Sequence, residues 1–162
     1  MECALTPDPA TDDRDLVLER HMDAAPAALY RCWTEPGLLK RWFAPEPWTV
    51  PEAELDLRVG GTSRIVMRGP DGTDFPNRGV YLEIVSNQRL VFTDAFVEAW
   101  TPSPKPFMTV ILSFVPEADG GTRYTARVRH WSVEDRKQHE AMGFSDGWGR
   151  CADQMARVAA EL

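Results

Sequence analysis

The chain has 162 residues, a length that suits one domain with one core, and its 43% apolar and 27% charged content excludes a disordered polyelectrolyte. A net charge of −7 removes the broad positive field that nucleic acid or an anionic membrane surface demands, and no apolar run approaches the roughly 20 residues of a membrane span. Cys3, Cys32 and Cys151, without a CxxC pair or a histidine cluster, fit reduced thiols in a cytoplasmic protein, and nothing asks for a metal or another cofactor.

Met1 to Arg14, punctuated by Pro7, Pro9 and aspartates, reads as a flexible arm, leaving a single domain over residues 15–162. Leu16 to Met22 is strand-like. Asp23 and Pro26 then signal a helix over Ala27 to Trp33. Thr34-Glu35-Pro36 ends it and opens a second short helix, Gly37 to Phe43, stopped by Pro45 and Pro47.

From there the period changes to that of strands. Ala53 to Leu57, Thr62 to Arg68, Arg78 to Val85, Arg89 to Val97, Phe107 to Val115 and Thr122 to Trp131 are short and β-rich. Gly60-Gly61, Pro70-Asp71-Gly72, Ser86-Asn87-Gln88 and Asp119-Gly120-Gly121 supply the turns of an antiparallel meander. The tail from Val133 to Leu162 is helical, with Phe144, Trp148, Cys151, Met155, Val158 and Leu162 on one stripe. That stripe needs an apolar partner, and the concave face of the sheet is the one the chain offers, so the fold class is α+β. Gly143, Gly147 and Gly149 each cost a helix about 1 kcal/mol, so they call for a close approach, a break at Met142-Gly143, or room left for a ligand beside Phe144 and Trp148.

The two-residue period also assigns faces. In the last strand Tyr124, Ala126, Val128 and His130 turn to the helix, and Arg123, Thr125, Arg127 and Arg129 turn to solvent. Leu90, Phe92, Asp94 and Phe96 align, setting one carboxylate among aromatics. A cavity between sheet and helix would therefore have walls from Phe92, Phe96, Tyr124, Val128, Phe144 and Trp148, with Asp94 and His130 to orient a ligand or move a proton. His139 reads as a solvated residue near a helix start, and Cys32 and Cys151 as small buried hydrophobes. Glu54 and Asp56 belong to a solvated edge face, and Arg64 and Arg68 to a salt-bridge ladder. Trp48 and Trp100, in proline-flanked loops, suit a cavity rim or a partner surface. No GxSxG elbow, Walker A loop or HExxH motif occurs, and His21, His130 and His139 lie too far apart in pattern for a metal site.

The order of elements resembles the helix-grip fold of the START-like (SRPBCC) superfamily. Trp33-Thr34-Glu35-Pro36 followed by Leu39-Lys40-Arg41-Trp42-Phe43 resembles the branch called activator of heat-shock protein 90 ATPase homologue-like. So do Leu57 to Gly61, Val66 to Gly72, Gly79 to Ile84 and His139 to Trp148. The resemblance runs from Asp15 onward and implies a curved antiparallel sheet of six or seven strands around a long C-terminal helix, with two short helices after the first strand. That scaffold hosts carriers, cyclases and chaperone partners, so three functions are carried forward. The first is binding of a small, mostly apolar molecule, lipid-like or aromatic. The second is a cyclase or hydrolase using the same cavity. The third is an interaction protein, homodimeric or bound to a chaperone through Trp48 and Trp100.

Overall fold

The computed structural model describes residues 10–162. Cys3 and the first part of the predicted arm lie outside the described residues. Strand β1 (Asp15–Met22) leads through Pro26 at a helix start into α1 (Pro26–Thr34) and the single turn α2 (Pro36–Leu39). Strands β2 (Thr49–Leu55), β3 (Thr62–Arg68), β4 (Asp74–Val85) and β5 (Arg89–Thr93) follow. A small hairpin, β6 (Phe96–Glu98) and β7 (Thr101–Pro102), precedes β8 (Met108–Pro116) and β9 (Thr122–His130). The chain closes with α3 (Val133–Ala141) and α4 (Phe144–Ala159).

Seven strands form one antiparallel sheet in the order β1-β9-β8-β5-β4-β3-β2. The α1–α2 excursion carries the chain from one edge of this sheet to the other, so β1 and β2 are consecutive in sequence yet stand farthest apart. The sheet curves around the C-terminal helix, giving the α+β helix-grip fold that the sequence implies. Leu82 is an extra residue between the Tyr81↔Phe92 and Glu83↔Val91 pairs, a bulge that bends β4.

The alternation expected of β9 holds on its inner side, where Tyr124, Ala126, Val128 and His130 are buried. They join Val110, Leu112 and Phe114 of β8, Leu29, Cys32 and Trp33 of α1, and Phe144, Ala152, Met155 and Val158 of α4 in one core. The outer side differs from expectation. Arg127 and Arg129 are largely covered, because the Asp15 carboxylate, itself fully buried, takes two hydrogen bonds from Arg129 at 2.7 and 2.8 Å. Residues 10–14 lie over the same face. Ala10 O accepts from Arg129, Thr11 Oγ1 from Arg127, and Asp13 O from Arg136.

Three further features have local causes. The helical tail breaks at Met142-Gly143, as the glycines allowed, since Gly143 sits at φ 96°, a left-handed conformation that ends one helix and redirects the next. Gly143→Ala is expected to cost about 1 kcal/mol in urea unfolding, and a cost of zero would mean that the joint is not strained. The apolar stripe stops at Val158 and Ala159, and Leu162 is 46% exposed. Strand β5 ends at Thr93, so Phe96 leaves the sheet for the β6–β7 hairpin instead of continuing the face of Phe92. The ladder reading stands, as Arg64 pairs with Glu52 and Arg68 with Asp74 across neighbouring strands.

Candidate functional site

Helix α4 and the sheet do not close on one another. Between them, α1 and the segment after α2 lies a cavity of about 400 Å³, within the roughly 300–1,000 Å³ of small-molecule sites. One wall is an aromatic cluster in which Trp33 stands 4.7 Å from Trp42 and 5.7 Å from Phe92 between ring centroids. The helix wall is Phe144 and Trp148, one turn apart and 5.2 Å between centroids. Gly147 lies between them in sequence. A Cβ built there meets nothing within 4 Å, so among the glycine explanations, room beside Phe144 and Trp148 is the one this position fits.

The segment carrying Trp42 and Phe43 has few strand or helix partners for its backbone, and Gln154 of α4 supplies them. Its buried amide donates to Trp42 O at 3.1 Å and Ala44 O at 2.8 Å, while its Oε1 accepts from Glu46 N at 2.9 Å. Cys151 Sγ donates to Phe43 O, and Trp42 Nε1 donates to Cys32 O. Helix α4 thus both lines the cavity and clamps the opposite wall.

Polar groups are few. Asp94, just past β5, accepts from Phe107 N at 2.8 Å and Met108 N at 3.0 Å through Oδ1, which starts β8 in register. The Tyr124 hydroxyl accepts from Trp33 Nε1. His139, in the last turn of α3, lines the cavity beside Phe107, Phe144 and Trp148. Its Nδ1 is 2.8 Å from His130 Nε2, and His130 Nδ1 is 2.9 Å from Arg14 O. Burial, with a smaller push from His130, holds His139 down to about 4. Burial pushes the Cys32 and Cys151 thiols up to about 11, so neither is a ready nucleophile.

The structure brings together Phe92, Asp94, Tyr124, Phe144 and Trp148 on the cavity wall. Val128 is instead packed into the core with no exposure, and Phe96 packs edge-on against Trp100 at 5.8 Å, away from the cavity. His130 stands behind His139 and reaches the cavity only through it. Trp48 is half-buried, its ring 5.4 Å from that of Phe75, so it offers little partner surface, whereas Trp100 is 76% exposed. The residue that sequence reasoning missed is His139, which is half-buried rather than solvated. The signal lay in the glycine break, because a bend after Met142 turns α3 back over Phe144 and carries His139 with it.

The Activator of Hsp90 ATPase homolog 1-like protein family matches residues 23–160. This chain belongs to that family. Among solved structures, a protein of Nitrosomonas europaea is 38% identical and superposes with a TM-score of 0.89 over 94% of this chain and 97% of that one. A protein of Mycobacterium smegmatis is 25% identical, with a TM-score of 0.76 over 93% and 96% of the two chains. The AHSA1-like protein of Aeromonas hydrophila, 22% identical with a TM-score of 0.70 over 91% and 92%, shares the fold. No curated protein matches the chain significantly. Among the described residues no helix is long and apolar enough to cross a membrane, and no three His, Cys, Asp or Glu side chains are grouped to hold a metal ion.

Proposed function

We propose that the protein binds a small, mostly apolar molecule, aromatic or lipid-like, between the sheet and α4. One observation carries this reading: the core leaves about 400 Å³ unfilled, and the walls of that space are aromatic rings and methionines. The space opens to solvent, so an apolar molecule seated there exchanges water for contact with the rings and methionines. Burial of the ligand's apolar surface at about 25 cal/mol per Å² supplies the affinity.

The test fills the space. Gly147→Leu adds a side chain where no atom stands within 4 Å and also favours the helix. Titration of tryptophan fluorescence with naphthalene is expected to show binding by the natural protein and at least about a tenfold loss in the variant, with the unfolding midpoint unchanged or raised. Equal binding by both proteins would place the ligand elsewhere and end this reading.

A further inference from the structure

The chemistry of the ligand follows from the hydrogen-bond chain behind His139, and the inference rests on the cavity-binding reading above. A backbone carbonyl only accepts, so at 2.9 Å from Arg14 O the Nδ1 of His130 must carry its proton. A neutral imidazole has one such proton, which leaves His130 Nε2 bare. The 2.8 Å contact to His139 Nδ1 is then a hydrogen bond donated by His139. His139 has now spent its single proton on His130. Its remaining polar atom, Nε2, is a lone pair with no protein partner among the described residues, on a ring that lines the cavity.

We propose that His139 Nε2 is a fixed, neutral acceptor for the bound molecule, and that this molecule is therefore an uncharged apolar compound carrying a hydroxyl donor, a phenol or comparable alcohol. The other polar walls agree. Asp94 is the charged side chain on the cavity wall, and its negative charge opposes a carboxylate ligand. Asn77 donates its amide to Ile65 O and Phe75 O, so what it has left to offer is a carbonyl oxygen. A hydroxyl oxygen also accepts, and Tyr124, whose own oxygen accepts from Trp33, has a proton to give. The basic residues Arg78 and Lys105, and Arg14 and Arg129, edge neighbouring clefts rather than this cavity. With burial holding His139 down to about 4, the imidazole of the ligand-free protein is uncharged at neutral pH and offers no standing cation for an acid.

Three probes of one size separate the possibilities: naphthalene, 2-naphthol and 2-naphthoate, titrated by calorimetry at neutral pH. The natural protein is expected to prefer 2-naphthol to naphthalene by about tenfold, the value of one well-made buried hydrogen bond, and to bind 2-naphthoate weakest. In His139→Phe, which keeps an aromatic ring at the wall, that preference should fall to within about twofold while naphthalene still binds. A preference that survives His139→Phe, or tighter binding of 2-naphthoate, overturns the acceptor role and leaves the cavity reading intact. If none of the three probes binds, both fall together. Long-range proton–nitrogen spectra of histidine-labelled natural protein give a test that needs no variant. Both Nδ1 atoms should be protonated, with His139 Nε2 bare and shifting on addition of 2-naphthol, and a protonated His139 Nε2 would refute the assignment.

Discussion

Replacing Gln154 with leucine is expected to cost the fold about 4 kcal/mol. The leucine matches the volume but leaves three backbone groups, Trp42 O, Ala44 O and Glu46 N, without their side-chain partner. Each buried orphan costs about 1–3 kcal/mol, and the half-buried Glu46 N regains part of its share from water. The damage is directional, because those groups hold the wall that carries Trp42 and Phe43. Urea denaturation should show a lowered midpoint with little change in slope, and the affinity for naphthalene should fall as well. A loss under about 1 kcal/mol would mean that the segment keeps its shape through Cys151, Arg150 and the ring contacts alone.

Acidification should begin to weaken the protein above the range in which its carboxylates protonate. His139 is held down to about 4 in the fold and returns to about 6.5 when the chain unfolds. Between those values the unfolded state binds a proton that the folded state refuses, so stability rises with pH across the window. The contribution is complete above about 6.5 and is lost as the pH falls to about 4. At about 1.4 kcal/mol per tenfold change the ceiling is near 3 kcal/mol, and access to cavity water brings the expected loss to about 2 kcal/mol. His21 acts with the opposite sign. Its hydrogen bond to Glu117, aided by Asp119 and Asp23, raises it, so its support is present at low pH and lost as pH rises through the raised value. Chemical unfolding at pH 7, 5.5 and 4 should therefore show a decline that His139→Phe flattens. An identical slope in the variant would assign the acid sensitivity to other groups.

The fold was legible because its signals are local and repeated. Proline after an acidic residue opened α1, alternating residues placed β9, and Gly-Gly and Asp-Gly pairs marked the hairpins. Asp94 and Phe92 could be placed at the cavity from one strand's period, and Phe144 and Trp148 from one helix's. What sequence could not give was anything that depends on where a period stops. Strand β5 ends one residue before Asp94, so the phase that placed Phe96 inward no longer applied. His139 and His130 are nine positions apart on different elements, and only the bend at Gly143 brings the first against the second and over the cavity. Arg127 and Arg129 followed the alternation faithfully, yet a buried carboxylate at the edge of β1 changed what their face meets.

The first link of the imidazole chain is the carbonyl of Arg14, which precedes every strand and helix of the described residues. A chain shortened to begin at Asp15 would keep the residues of every described strand and helix and still lose the atom that, in the proposed imidazole chain, orients the cavity's acceptor. Both rings would then be free to exchange tautomers, and the cavity would offer an N–H as readily as a lone pair. Residues 10–14 thus have two jobs, covering the outer face of β9 and anchoring the imidazole pair, so a truncation there should be judged by ligand preference as well as by folding.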